Sequence, residues 1–293
     1  MKIALASCAK IQDIENQDVW DEIAAESPDA LLLLGDNVYL KYERHDNAPD
    51  LKEDLDARCR DQLAEPHFAA LLKQLRDNGK PVFACYDDHD FLGNDRYGGD
   101  SPASLRDTAR EAFIRAWRPA QTGSDVYSKT ALGDLDLVVL DTRYYRERPT
   151  AGISLSRDAI LGTDQWTWLE ECVTSWRSKF LMLVSGSTYH NFGRTESWEQ
   201  YPAAFGRLRD LIGQRSGAFI VTGDIHSNQM YDDSGVVEIV SSGVARKGIV
   251  FGGLRRNYGI LTFDDESLAV DLRSNKPSWR QNALLALADW RLK

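Results

Sequence analysis

Short apolar runs that stop at polar, chemically competent residues recur from one end of the chain to the other, and stretches with helical spacing separate most of them. The runs at 3–6, 30–34, 82–85, 135–140, 180–184, 218–222, 236–241, 259–263 and 268–272 predict strands. Several are apolar throughout rather than alternating, as strands covered on both faces should be. Helices are expected over 18–26, 51–63, 67–78, 104–117, 164–176, 203–214 and 282–292. In the fifth, Trp168, Leu169, Cys172, Val173 and Trp176 recur at helical spacing and Asp164 is placed to cap it. The last, with Leu284, Leu285, Leu287, Trp290 and Leu292, is read as a helix that docks on the domain or forms a dimer face. This alternation predicts an α/β chain. Tight hairpins around Gly133-Asp134 and Asp264-Asp265-Glu266 add antiparallel pairs, so the sheet is mixed. Segments 143–162 and 187–201 carry polar, glycine and aromatic residues without a period and are candidate walls of a site. No repeat or Pro-rich linker marks a boundary, so residues 1–293 are read as one domain.

Composition narrows the class further. Among 293 residues, 43% are apolar and 27% charged, which suits a chain with a sizeable buried core. Thirty-five basic against forty-five acidic residues leave a formal charge of −10, which argues against a nucleic-acid scaffold or an anionic membrane as partner. A membrane span needs about 20 apolar residues, and no apolar run here approaches that, 30–34 holding five. The start of the chain reaches Ser7-Cys8-Ala9-Lys10 before a signal-like apolar stretch can form, so a cytoplasmic location is expected, although a processed secreted form would look the same. Four cysteines are scattered without C-x-x-C pairing, so a disulfide framework or zinc knuckle is not indicated. Cys59, Cys85 and Cys172 are read as core, His45 and His67 as ordinary surface or helix residues, and Trp166, Trp168 and Trp176 as packing.

The chemistry gathers where four runs end: Ser7-Cys8, Gly35-Asp36-Asn37-Val38-Tyr39, Asp87-Asp88-His89-Asp90 and Gly223-Asp224-Ile225-His226. In α/β sheets, ligands bind just beyond the carboxyl ends of strands. If these strands are neighbours, so many carboxylates would repel one another without counter-charge, and two metal ions held by O, N and S donors supply it.

With these motifs in order over most of the chain, the sequence resembles the calcineurin-like metallophosphoesterases, specifically the alkaline phosphatase D (PhoD-like) family. Asp141-Thr142-Arg143, Leu161-Gly162-x-x-Gln165-x-x-Trp168-Leu169 and Ser185-Gly186-Ser187 followed by Trp198 and Tyr201-Pro202 carry the likeness too. The resemblance implies a four-layer αββα sandwich with two mixed β-sheets and a binuclear centre that hydrolyses phosphate monoesters and diesters. It makes Asp36 the carboxylate bridging both metals, with Cys8, Tyr39 and His226 completing the first site, where a Tyr phenolate favours Fe³⁺. Asp88 and Asp224 would hold the second metal, where oxygen donors suit Ca²⁺, Mg²⁺ or Mn²⁺. Asp87 is either a further ligand there or a partner of one. His89 would be the general acid, with Asp90 orienting its ring, and the nucleophile a hydroxide held between the metals. Arg143 is expected either as a bidentate phosphate contact or as a salt bridge anchoring the long loop, with Lys10, Asn37 and His190 as further substrate contacts. The expected partner is a small soluble phosphate ester. Two rival readings are a serine hydrolase using Ser187 and His190, which lacks the Gly-x-Ser-x-Gly elbow, and a non-catalytic module that binds metal for structure, against which His89 stands.

Overall fold

The computed structural model describes residues 1–42, 44–117, 125–149, 156–193, 196–213, 215–232, 235–247 and 253–292. Parts of the expected site walls, 150–155 and 194–195, and residue 214 of the helix expected over 203–214 lie outside the described residues. β1 (Lys2–Ala6), β2 (Ala30–Leu34) and β3 (Val82–Cys85) run parallel. They continue through antiparallel β12 (Tyr258–Phe263), β13 (Ser267–Arg273) and β14 (Gln281–Ala286) in the order β14-β13-β12-β1-β2-β3. A second sheet has the order β4-β5-β6-β7-β9-β8, formed by β4 (Ser128–Leu132), β5 (Leu135–Val139), β6 (Phe180–Ser185), β7 (Ala218–Thr222), β9 (Val237–Val240) and β8 (Gln229–Tyr231).

The uniformly apolar strands are explained by three cores. In β1 and β2, Ile3, Leu5, Ala30, Leu32 and Leu34 face the second sheet, where Leu137, Val139, Met182, Val184, Phe219 and Val221 meet them. The alternate residues Ala4, Ala6, Leu31 and Leu33 pack under α1 (Val19–Ala25), α2 (Ala48–Leu63), α3 (Pro66–Asp77) and α5 (Ala103–Trp117). On the far side, Val138, Leu181, Leu183 and Ile220 pack under α6 (Gly162–Thr174) and α7 (Pro202–Ile212). The expected αββα layering follows, since each strand residue is apolar on whichever side it points.

The segment expected as a helix over 282–292 is instead β14, paired antiparallel with β13 in the register Leu285 opposite Leu268. Ala283, Leu285 and Leu287 face the inter-sheet core while Leu284 is exposed. A short Leu-rich run satisfies both the helical and the strand period, and the open edge of β13 decides for the strand. Trp290 then caps the core, its indole N–H donating to the Ala218 carbonyl oxygen at 2.9 Å. Among the described residues no helix is long and apolar enough to cross a membrane.

Register places the chemistry. β1, β2 and β3 pair so that Ala6 meets Leu33 and Leu34 meets Cys85, while Ser185 of β6 meets Thr222 of β7. The carboxyl ends of all five strands therefore open on one edge. Gly223 lets the two sheets touch there, because a Cβ on it would lie 2.5 Å from the Leu34 carbonyl oxygen.

Candidate metal centre

β1, β2 and β7 turn sharply as they leave their sheets. Among the described residues, six non-glycine residues have positive φ, and five of them, Cys8, Asp36, Asp95, Asp224 and His226, belong to this one edge. Such left-handed backbone costs about 1–3 kcal/mol at each residue and gathers at functional sites. Gly35, at φ +89°, allows the Asp36 turn to press against Asp87, where a Cβ would lie 2.7 Å from the Asp87 Cβ.

The turns deliver a buried nest of donors. The Tyr39 hydroxyl donates to Asp36 Oδ2 at 2.9 Å and lies 3.3 Å from His226 Nε2, and Cys8 Sγ lies 3.5 Å from Asp36 Oδ2. One ligand atom each from Cys8, Asp36 and His226 falls within 4.8 Å of the others, and the same holds for Asp36, Asp88 and His89. Ser242 steadies the nest, its Oγ 3.2 Å from Cys8 Sγ and accepting from the His226 backbone N–H at 2.9 Å. A cavity of about 300 Å³ opens over it, lined by Asp36, Asp88, His89, Asp224, His226 and Arg246 among others.

The nest crowds acidic groups together without counter-charge. Burial, then the charges of Cys8 and Asp88, pushes the Asp36 carboxyl well above the usual carboxylate range. Burial and then Asp36 push the Tyr39 phenol well up, and burial raises the Cys8 thiol. Acidic donors that hold protons for want of counter-charge are those that exchange them for a metal. Thiol, carboxylate, phenol and imidazole are donors that suit a transition-metal ion; Asp224 lines the cleft but, among the described residues, stands outside the groups of mutually close ligand atoms. Asp88 departs from the trend. Although burial opposes its charge, the neighbouring His89 and Arg143 and the Asp95 N–H, at 2.7 Å from Oδ2, hold it well below the usual range.

His89 stands on the four-residue turn α4 (Asp88–Phe91), its ring 4.2 Å from that of Tyr39 and its backbone N–H donating to Asp88 Oδ1 at 2.9 Å. Asp90 does not reach the His89 ring. Its Oδ1 accepts from the Val38 N–H at 2.9 Å and its Oδ2 from the Asp87 N–H at 3.1 Å, so it pins the start of α4 to the Asp36 loop. Burial outweighs these bonds and pushes its carboxyl up to about 8.

The expected phosphate contacts of Arg143, Asn37 and His190 are corrected by where their side chains lie. Arg143 is fully buried with Nε 2.6 Å from Asp87 Oδ1 and Nη1 2.5 Å from Glu196 Oε2, so its guanidinium neutralises Asp87 behind the cleft and Glu196 in its wall. A buried guanidinium is stable where protein carboxylates offset its charge, as these two do. Asp87, bound by Arg143 and by the Ser187 hydroxyl at 3.2 Å, stands behind Asp88. Asn37 is buried beneath Asp36, donating to the Cys85 carbonyl oxygen and to Asp90. His190 packs inward with Nδ1 2.9 Å from Glu238 Oε2. Lys10 stays at the rim, its Nζ 5.3 Å over the Tyr39 ring. The Ser187 hydroxyl is buried between Asp87 and Arg146, not against His190, which removes the geometry a serine hydrolase needs. His45, read as an ordinary surface residue, is a buried partner of Asp54 at 3.0 Å.

Sequence reasoning missed three residues of the site. Glu196 and Asp95 join Asp88 in a third group of carboxylates, and burial together with Glu196 pushes Asp95 up to about 7. Glu196 lies within a segment singled out as a site wall, whereas Asp95 carried no signal beyond its closeness to Asp87-Asp88-His89-Asp90. Arg246 enters from the other side, 4.6 Å over the Tyr39 ring, with no motif to announce it.

The family model described as PhoD-like phosphatase matches residues 3–259. No curated protein matches the chain by sequence. A solved structure described as that of PhoD superposes with a TM-score of 0.70 at 18% identity, over 100% of this chain and 71% of that one. GAP50, described as the anchor in the inner membrane complex of Plasmodium, superposes with a TM-score of 0.55 at 10% identity, over 100% of this chain and 89% of that one. At these identities the likeness to solved structures is one of fold.

Proposed function

Because the chain belongs to the PhoD-like phosphatase family, we propose that it hydrolyses small phosphate monoesters and diesters at a binuclear metal centre built on Asp36. The observation that carries this reading is the convergence of Cys8, Asp36, Tyr39 and His226 on the wall of a cleft that Asp88, His89 and Asp224 also line. Cys8, Asp36, Tyr39 and His226 would hold Fe³⁺, for which a phenolate is a fitting donor, and Asp36, Asp88 and Asp224 would hold Ca²⁺, Mg²⁺ or Mn²⁺. Once bound, the cations supply an acidified water and positive charge for the phosphoryl oxygens.

The chain's own residues do the rest. His89 faces the cleft and delivers a proton to the departing ester oxygen, a task suited to an imidazole near neutral pH. Asp90 is a positioning residue, since its hydrogen bonds to the Val38 and Asp87 N–H groups fix the turn that presents both Asp88 and His89. Arg143 offsets Asp87 behind the cleft and Glu196 in its wall, which lessens the repulsion on the other carboxylates there. A cavity of about 300 Å³ admits a small ester rather than a folded polymer.

The experiment is elemental analysis of protein purified without added metal, alongside turnover of nitrophenyl phosphate and bis-nitrophenyl phosphate. Bound metal lost together with turnover on chelation is the expected result. Bound metal without turnover of either ester would leave a metal-binding module, and turnover that survives complete chelation would reject the metal-dependent reading.

A further inference from the structure

With Arg143 turned to protein carboxylates, the cleft needs another cation to meet a phosphoryl dianion, and Arg246 stands where that cation is needed. It opens β10 (Arg246–Lys247), and the Lys10 N–H donating to the Ala245 carbonyl oxygen at 2.9 Å ties that segment to the loop carrying Cys8. Its guanidinium lies over the Tyr39 ring and lines the cleft beside Asp36, Asp88, His89 and His226. Nη1 is held by Asp13, Nε points to His226 Nε2 at 3.4 Å, and Nη2 makes no hydrogen bond to a described residue. Lys10 adds a second positive charge at this rim, 3.6 Å from the other Asp13 oxygen.

We propose that Arg246 is the residue that recognises the substrate's phosphoryl group, and that it selects monoesters over diesters. The inference rests on the hydrolase reading above. When His226 commits its Nε2 lone pair to a metal, Arg246 Nε loses that acceptor, so Nε and Nη2, the two parallel donors on one edge of the guanidinium, are both open to an oxyanion. Asp13 fixes the opposite edge and aims the fork. A phosphate monoester dianion has three terminal oxygens that share two negative charges, and it can give one to the fork while the cations take the others. In a diester that third position is an esterified oxygen, without charge and with a bulky substituent, which the fork cannot pair with.

The test uses metal-replete protein, with Arg246→Gln and Arg246→Lys as variants. Inorganic phosphate, titrated calorimetrically, is expected to bind Arg246→Gln about 10–100-fold more weakly than wild type, with Arg246→Lys between them, as loss of a charged hydrogen bond implies. Metal content should not change. For Arg246→Gln, kcat/KM on nitrophenyl phosphate should fall about 10–100-fold, chiefly through KM. On bis-nitrophenyl phosphate the change should stay within about threefold, and free guanidinium ion should restore part of the monoester loss. Unchanged phosphate affinity, equal losses on both esters, or loss of bound metal from Arg246→Gln would each overturn the assignment. If the wild type turns over neither ester, the hydrolase reading fails, and the phosphate titration alone still decides whether Arg246 holds the anion.

Discussion

Replacing Arg143 by Met should destabilise the protein by about 3–5 kcal/mol, the cost of removing one partner from a buried ion pair. The structure sets the magnitude. Arg143 bridges Asp87 and Glu196, whose side chains are 0% and 5% exposed, so both stranded carboxylates would be poorly solvated where they stand. The Ser187 hydroxyl remains as a partner for Asp87, but a neutral donor offsets little of a full charge. For 293 residues, an unfolding entropy of about 2.1 cal/mol/K per residue gives about 0.6 kcal/mol/K, so the melting temperature should fall by about 5–8 °C. Scanning calorimetry in chelator measures this without the offset that bound metal would add. Combining Arg143→Met with Glu196→Gln should recover part of the loss, with a coupling of about 0.5–3 kcal/mol, because it removes one of the two stranded charges. A melting temperature within about 1 °C of wild type, together with a raised KM for nitrophenyl phosphate, would refute the argument and return Arg143 to the substrate contact its sequence position suggested.

If Tyr39 binds Fe³⁺ as a phenolate, concentrated protein should show a broad visible charge-transfer band that Tyr39→Phe bleaches; a colourless, fully active preparation holding only zinc would contradict this. Asp36→Ala and Asp224→Ala should lose metal and turnover together, whereas His89→Ala should keep its metal and lose about 10²–10⁴-fold in rate, less for a nitrophenolate than for an alkyl leaving group; equal losses for both would make His89 a binding residue. Away from the site, Arg273 and Lys2 hold Glu26 below its usual range against the opposing effect of burial, joining β1 to β13. This contribution is present above the unfolded pKa of about 4.3 and is lost as pH falls through the lower folded value. Glu26→Gln should therefore lower the melting temperature by about 1 °C near pH 7, as suits a half-exposed pair, and not at all near pH 2; a loss that persists in acid would assign Glu26 a packing role instead.

Much of the centre was legible because its residues sit within a few positions of strand ends, and the carboxyl ends of parallel strands share an edge whatever the loops do. Cys8, Asp36, Tyr39, Asp88 and His226 meet there for that reason, and the αββα layering follows from strands apolar on both faces. Local pattern fails where two solutions share it: the Leu-rich run at 282–292 fits either period, and only the free edge of β13 made it a strand. It fails again where a side chain chooses between partners far apart in sequence. Arg143 turns away from the cleft because the fold brings Glu196 beside Asp87, and Arg246 enters it because the segment after β9 is bonded to the loop after β1. A charged group's role depends on whether its nearest opposite charge belongs to the protein or to a ligand. Sequence determined which groups could reach the centre, and long-range packing decided which of them were already spoken for.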